Sequence, residues 1–357
     1  MNTFTVLEPS YLAKFKCDGK ACDSLCCRNW QQVLDDETIE KYRRLDGGTG
    51  KIMNGITYDE KIGGSVLKHK CERCYFLRSD LLCQLVIDYG ESALSDVCHE
   101  FPRKTQIFPN SFAERTLCLS CPVAARLALT EPISFAEREL KLDRDNYYGH
   151  IDDADTLNGV SFFFLQKKSI EILQNKEHSL KERIACLGIF LKRADELLRN
   201  GQNIGHGLRD FSWVSNYEPY ITDFRFISNL LPNVSRAIDD SEPDTQRYLE
   251  LINKNSSLSY DEFINAWQSI EEEFSQEIEN FLVNEFFSAL YPFHIEGDFT
   301  RNFIFFRTVY EFLLLLIILE ENRTQDVVIN AVIYISRRTN HFAYFSAALK
   351  DYIENFQ

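Results

Sequence analysis

Cysteine is distributed very unevenly along this chain of 357 residues. Ten of its eleven cysteines lie between Cys17 and Cys121, and only Cys186 lies in the remaining two-thirds. Packing alone rarely requires so many thiols on one segment, and soft thiolates in groups are typical of iron–sulfur clusters and zinc sites. The groups are Cys17-x4-Cys22-x3-Cys26-Cys27, then Cys71-x2-Cys74-x8-Cys83, then Cys98, then Cys118-x2-Cys121.

A secreted disulfide scaffold would have a similar cysteine density, so the cellular compartment matters. The first ten residues lack the basic start, apolar core and small-residue cleavage site of a secretory leader. We therefore expect a cytoplasmic chain with reduced thiols, in which metal binding or catalysis is favoured over disulfides. The most apolar segment, residues 303–319, is interrupted by Arg307 and Glu311. It predicts a buried helix of a globular core and no insertion into a membrane.

The net charge of −15 is concentrated in the second part of the chain. Residues 1–125 have 16 basic and 17 acidic groups, whereas residues 126–357 have 23 basic and 37 acidic groups. Nucleic-acid phosphates would be repelled by such an acidic surface, so we expect no nucleic-acid partner.

Residues 1–125 and residues 126–357 also differ in their local sequence patterns. Residues 1–125 contain glycine and proline turns between short segments, which predict hairpins at 56–67 and 105–117 and one helix at 35–45. Residues 126–357 show helical periodicity, and two capping boxes, Ser179-x2-Glu182 and Ser259-x2-Glu262, begin long amphipathic stretches. The predicted fold is mainly α. It has a cysteine-rich, irregular α+β metal-binding head (1–125) followed by a helical body (126–357).

The cysteine spacing leaves the identity of the metal open. If residues 22–27 were helical, Cys22 and Cys26 would share one face, and Cys27 would point about 100° away. Cys71-x2-Cys74 has the spacing of a metal-binding knuckle and equally of a redox pair. Ten thiols could form two four-sulfur sites or one site with additional structural cysteines. Spacing alone favours zinc and iron–sulfur equally.

The order of these motifs resembles the bacterial flagellin lysine-N-methylase family, and the N-terminal part is also similar to CxxxCC-type zinc- or iron-chelating domains. The matching pieces run in order through nearly all of residues 5–125. They are Glu8-Pro9, Phe15-x-Cys17-x4-Cys22-x3-Cys26-Cys27-x2-Trp30, Cys74-Tyr-x6-Leu82-Cys83, Leu94-Ser-x2-Cys98-x2-Phe101-Pro102-Arg103 and Leu119-Ser-Cys121-Pro122. For the helical remainder, the resemblance rests on length and overall layout.

The resemblance implies a protein-lysine N-methyltransferase that holds a 4Fe-4S cluster, uses S-adenosylmethionine and acts on flagellin. Cys71 and Cys118 lie outside the pattern, and His69 and His99 are additional possible ligands. Arg103 is a candidate cofactor-binding residue, because a cationic donor near a cluster tunes its sulfurs. The metal-binding thiols that the resemblance implies are Cys17, Cys22, Cys26, Cys27, Cys74, Cys83, Cys98 and Cys121.

The common motifs of methyltransferase and nucleotide-binding sites are not found in the sequence. Cys22-x3-Cys26 begins the spacing of radical S-adenosylmethionine enzymes, but Asn29 stands where the third cysteine is required. The glycine-rich stretch at residues 47–50 follows a predicted helix rather than a strand, so it is not a dinucleotide-binding fingerprint. The sequence therefore does not identify which residues are catalytic. The alternative function is a non-catalytic zinc- or iron–sulfur-binding sensor or adaptor.

Overall fold

The structure is a computed structural model that describes residues 2–22, 25–28, 30–60, 62–71, 73–142, 147–152, 160–214, 223–240, 242–294 and 298–356. Within these ranges most residues are helical, as the sequence predicts. The strands are β1 (Asn2–Pro9), β2 (Val33–Leu34), β3 (Ile56–Asp59), β4 (Gly64–Leu67), β5 (His69–Lys70), β6 (Arg73–Cys74), β7 (Arg103–Phe108), β8 (Phe112–Leu117), β9 (Phe135–Leu142) and β10 (Gly149–His150).

Short helices alternate with these strands, and long helices follow them. They are α1 (Asp36–Asp46), α2 (Gln84–Tyr89), α3 (Asp96–Glu100), α4 (Pro122–Thr130), α5 (Val160–Leu173), α6 (Leu180–Arg199), α7 (Ile204–Gly207), α8 (Phe224–Ala237), α9 (Pro243–Lys254), α10 (Tyr260–Glu273), α11 (Ser275–Ser288), α12 (Phe299–Ile318), α13 (Gln325–His341) and α14 (Ala343–Phe356).

A five-stranded sheet in the order β10-β7-β8-β1-β9 is the main β-structure. β1 runs parallel to β8 and antiparallel to β9, while β7 and β8 form an antiparallel hairpin. β9 and β10 come from residues after 125, so the sheet continues past the predicted boundary, which falls inside α4. The N-terminal strand therefore joins distant parts of the chain.

Local sequence signals explain both hairpins and the first helix. β3 pairs with β4 across a turn in which Gly63 has a φ of 71°, a left-handed conformation that suits glycine. Between β7 and β8, Asn110 has a φ of 62° and is a residue type that tolerates this region. α1 begins at the N-cap Asp35, whose carboxylate accepts a hydrogen bond from the Thr38 amide. These three predicted elements are confirmed.

The helical body is organised around α12, which packs against α6, α8, α10 and α13. Most of the α12 side chains are buried, which explains why residues 303–319 are apolar on nearly every face of the helix. Both capping boxes form, at Ser179 before α6 and at Ser259 before α10. The amphipathic pattern that continues from α10 toward Phe286 is divided at Phe274 into α10 and α11. Among the described residues, no helix is long and apolar enough to cross a membrane.

The sheet and the helices share one large hydrophobic core. Tyr11 and Phe15, which follow β1, and Leu117 at the end of β8 belong to the same buried cluster as the α11 and α12 side chains. A second, smaller cluster lies within residues 34–85 and includes Tyr42, Phe76 and Cys74. Cys27, Cys83 and Cys98 pack against this smaller cluster, whereas Cys121 belongs to the large core.

Candidate metal centre

All eleven cysteines lie within the described residues, and none forms a disulfide. Cys26 and Cys27 lie in a single 3-10 turn, Leu25–Cys27, with their Sγ atoms 3.9 Å apart. The carbonyl of Cys26 accepts hydrogen bonds from Trp30 Nε1 (2.9 Å) and Gln32 Nε2 (3.0 Å). The tight turn therefore brings together two thiols that a regular helix would separate by about 100°.

Three further thiols reach the same region from other segments. Cys74 ends β6, Cys83 is the N-cap residue of α2, and Cys98 lies in α3. Backbone N–H groups at the beginning of α2 donate to the Cys83 sulfur, because the first amides of a helix have no partner within the helix. A helix N-terminus also favours negative charge, so it suits a thiolate ligand.

Four of these thiols form a mutually interacting set. Each sulfur in the set interacts electrostatically with the other three, and the members are Cys26, Cys74, Cys83 and Cys98. Burial, together with the neighbouring thiols, raises the pKa of Cys74 to about 11 and that of Cys98 to about 12. Without a metal these two thiols are therefore protonated at neutral pH, and metal binding would release their protons.

The remaining sulfurs of the family pattern are those of Cys17, Cys22, Cys27 and Cys121, and Cys27 interacts electrostatically with Cys26, Cys74 and Cys98. The hydrogen bond between the Cys26 and Cys27 sulfurs lowers the pKa of Cys26 and raises that of Cys27. Cys121 interacts electrostatically with Cys22 and Cys26, and burial raises the pKa of Cys121 to about 12. Cys17 is exposed. The roles of Cys17, Cys22, Cys27 and Cys121 as ligands stay predictions.

The donor set fits a soft metal in chemical type and number, because thiolates from separate loops are the ligands that iron–sulfur clusters and zinc require. Among the described residues, no group of three or more His, Cys, Asp or Glu side chains is arranged around a point where a metal ion could be held. A cluster of several irons binds its thiolates at different iron atoms, so its ligands need not meet at one point.

The histidines and the arginine that the sequence singled out have other partners. His69 Nε2 lies 2.8 Å from Gln32 Oε1, and His99 Nδ1 lies 3.1 Å from a carboxylate oxygen of Glu100. The Arg103 guanidinium lies over the Phe15 ring, 5.2 Å from its centroid. A cofactor-binding role for Arg103 stays a prediction.

Sequence reasoning missed a contact between the thiol-rich head and α13 of the body. His341, at the end of α13, approaches Cys118 Sγ (3.7 Å) and Ser120 Oγ (2.8 Å) through its Nε2 atom. Trp30 covers the imidazole, with ring centroids 4.5 Å apart. Burial raises the pKa of the Cys118 thiol, but the hydrogen bond and charge interaction with His341 and the hydrogen bonds from Ser120 together outweigh it, and the pKa is lowered to about 6. No local sequence signal joins residues 223 positions apart.

The chain is similar to proteins connected with flagella and with lysine methylation. It is 31% identical over 150 residues to the "Flagellar biosynthetic protein FliU" of Salmonella muenchen, which covers 40% of this chain and 86% of that protein. Proteins named "Lysine-N-methylase" from Salmonella typhimurium and Salmonella choleraesuis are 31% and 30% identical over 148 residues. These matches cover 39% of this chain and 36% of each methylase. The chain thus matches about a third of the length of the two methylases.

No solved structure matches the chain. The model of the FliB lysine N-methylase C-terminal domain matches residues 166–357, which is more than half of the sequence. This match falls on the helical body, where the cysteine motifs give no information. The chain therefore belongs to the FliB lysine N-methylase family.

Proposed function

We propose that this protein transfers methyl groups from S-adenosylmethionine to lysine side chains of flagellin and holds a 4Fe-4S cluster in its thiol-rich head. The observation that carries this proposal is membership of the FliB lysine N-methylase family. The name of the FliU relative, a flagellar biosynthetic protein, supports a flagellar substrate.

The four mutually interacting thiols are the ligands that we propose for the cluster. Cys26, Cys74, Cys83 and Cys98 come from four separate segments, which is the usual way in which a chain surrounds a cluster. Cys27, Cys22 and Cys121 would then surround the ligands and tune them through hydrogen bonds and burial. When bound, the cluster would supply either an anchor for the amino and carboxylate groups of the methyl donor or a rigid centre for the head.

Methyl transfer to lysine requires a neutral amine, although the amine has a pKa of ~10.4 in water. A base or desolvation must therefore remove a proton, and the nitrogen must be aligned with the methyl carbon. The methyl donor binds as a substrate, and the sequence contains no familiar motif for it. We therefore leave its binding residues unassigned.

The function is tested with purified flagellin as methyl acceptor. Anaerobically prepared protein should transfer the labelled methyl group of S-adenosylmethionine to flagellin, and mass spectrometry should find increases in mass that are confined to lysines. The matched control is the Cys98→Ser protein, which we expect to lose both cluster and activity. If iron-loaded wild-type protein leaves flagellin unmodified, the methylase proposal is wrong. The sensor or adaptor function is then favoured.

The nature of the metal is tested separately by analysis of iron, acid-labile sulfide and zinc. A 4Fe-4S protein should contain about four irons and four sulfides per chain and should be brown. Stoichiometric zinc without sulfide would contradict the cluster and indicate a zinc site formed by the same thiols. Thiol–disulfide redox activity of the metal-free protein would instead indicate a cysteine-based redox enzyme that uses Cys71 and Cys74.

A further inference from the structure

A group of polar side chains lies where the five-stranded sheet packs against α11. The Tyr11 hydroxyl is 2.9 Å from Thr116 Oγ1 on β8 and hydrogen-bonds Asn284 on α11, so the sheet and the helix are directly linked. The next residue of α11, Glu285, interacts electrostatically with Lys104 of β7. The link thus positions Glu285 against the head, although it lies in the body.

The group continues into the segment that follows α11. Glu285 interacts electrostatically with Tyr291, whose ring centroid lies 4.8 Å from that of His294. Lys104 interacts electrostatically with both Glu285 and His294. Four side chains from a strand, a helix and a connecting segment therefore form one connected group.

The four side chains of this group differ in their exposure to solvent. His294 is exposed and Lys104 is half-buried, whereas Glu285 is 6% exposed and Tyr291 is fully buried. The Tyr291 hydroxyl has no hydrogen-bond partner among the described residues. A buried hydroxyl without a partner is costly, so such groups frequently have a functional role. The ring of Tyr291 packs against that of His294, the exposed member of the group, and against Phe286 and Phe306 of the core.

The charges around Glu285 suit removal of a proton from an ammonium group. Burial raises the pKa of Glu285 to about 7, with Lys104 acting against this shift and Cys118 adding to it. A base whose pKa lies near the working pH combines a substantial ionised fraction with useful proton affinity. Burial and Glu285 raise the pKa of Tyr291, so its hydroxyl keeps its proton. The Lys104 ammonium disfavours a second positive charge nearby, which favours the neutral form of an entering amine.

We propose that Glu285 accepts the proton of the substrate lysine and that the Tyr291 hydroxyl oxygen accepts a hydrogen bond from a remaining N–H of its amine. This inference rests on the proposed methylase function. The Glu285 carboxylate takes one proton from the lysine ammonium. The nitrogen lone pair then forms a bond to the methyl carbon of the sulfonium donor, and the carbon–sulfur bond breaks with its electron pair going to sulfur. The products are a methylated ammonium and a neutral thioether, and Glu285 returns its proton to solvent.

The test uses the full chain, loaded with iron, with flagellin and S-adenosylmethionine as substrates. Glu285→Gln should lower kcat roughly 100-fold or more, the usual contribution of a general base, and leave the KM for flagellin nearly unchanged. Tyr291→Phe should raise KM by roughly tenfold, because one hydrogen bond to the amine is lost. The matched control is Glu271→Gln on α10, a half-buried glutamate that accepts a hydrogen bond from Tyr310 on α12. It should retain wild-type activity.

The pH dependence separates a catalytic role from a structural one. In the wild type, kcat/KM should rise with pH through about 7 as Glu285 loses its proton. In Glu285→Gln this inflection should disappear, and the rate should keep rising toward the pKa of the lysine. Iron content and circular dichroism verify that each variant is folded.

The outcomes distinguish this inference from the proposed function. If the wild type methylates flagellin and Glu285→Gln keeps at least a third of its kcat, the assignment of Glu285 is wrong and the methylase function stands. A wild-type profile that is flat between pH 6 and 8.5 contradicts the assignment even if Glu285→Gln fails to fold. If the wild type transfers no methyl group, the methylase function itself is wrong, and the assignment fails with it.

Discussion

The thiol-rich head and the helical body are held together by different means. The small core of the head consists of short elements around Tyr42 and Phe76, and Cys27, Cys83 and Cys98 border it. In the body, α12 alone buries most of its twenty residues, and neighbouring helices cover it on several sides. The body can therefore depend on apolar burial for its stability. In the head, by contrast, cysteine side chains lie at the edge of a small apolar core.

The difference shows where a bound metal would contribute to stability. Small units with few buried side chains commonly need a metal or another covalent link, because their apolar burial barely exceeds the entropy lost on folding. The small core around Tyr42 and Phe76 is a unit of this kind, and four thiols of the head lie close enough to interact. We therefore expect changes at the thiols to affect the head and changes in the helices to affect the body.

The largest expected effect is the loss of bound iron in Cys26→Ser. Oxygen replaces thiolate poorly on iron, and the turn that holds Cys26 and Cys27 would lose its anchor. Cluster absorbance per chain after anaerobic reconstitution should fall close to zero. Cys186→Ser is the matched control, because Cys186 is a buried core residue of α6 that behaves as a small hydrophobe. Equal bleaching in both variants would contradict the division between head and body.

Replacing Phe263 with alanine should destabilise the body while leaving the iron content unchanged. Phe263 is fully buried, and its ring lies 4.7 Å from Phe224 and 5.4 Å from Trp267. Removal of such a ring typically costs about 3–5 kcal/mol of unfolding free energy. Thermal or urea unfolding measures the change, with the exposed Tyr344→Ala as control. A loss below about 1 kcal/mol would show that this part of the helical core is dispensable.

Glu114→Gln should abolish a decrease in the free energy of unfolding that wild type shows as pH rises. Glu114 lies on β8 of the five-stranded sheet. Burial raises the pKa of Glu114 to about 8, although Gln166 donates a hydrogen bond to it. An unfolded glutamate has a pKa of ~4.3, so between these pH values the folded state holds a proton that the unfolded state has lost. Wild-type stability should therefore fall as pH rises from about 4 to 8. The glutamine variant should be more stable than wild type at pH 9 by up to about 5 kcal/mol.

Urea unfolding at pH 5, 7 and 9 measures this effect. The exposed Glu60→Gln is the control, because its carboxyl is in water in both states. If Glu114→Gln and wild type respond identically to pH, then Glu114 is ionised in the folded protein, and the sheet tolerates its charge.

The smallest expected effect is that of Ser179→Ala at the beginning of α6. Ser179 accepts a hydrogen bond from the Glu182 amide, and the Glu182 carboxylate accepts one from the Ser179 amide. Loss of such a cap usually costs ~1 kcal/mol. Urea unfolding should show this decrease, and the exposed Ser257→Ala should show none. A decrease above about 3 kcal/mol would mean that the cap also supports tertiary packing.

Local features of the fold were predictable because their causes are local. The two capping boxes, the hairpin at Gly63 and the helix that begins at Asp35 each depend on residues within a few positions of one another. The helical character of the body follows from periodicity, and the cysteine pattern indicated the family that the comparisons identify. Hydrogen bonds and backbone conformations of this kind form wherever the same short sequence occurs.

By itself, then, the sequence determined which residues carry sulfur, where many of the helices and hairpins begin, and which family the chain belongs to. Only the tertiary structure decided that Cys26, Cys74, Cys83 and Cys98 share one neighbourhood and that His341 reaches Cys118. It also decided that Glu285 faces Lys104 across the junction of helix and sheet. The physical reason is that such neighbourhoods arise when buried surfaces pack together, and packing joins residues whose separation along the chain leaves no periodic or local signal.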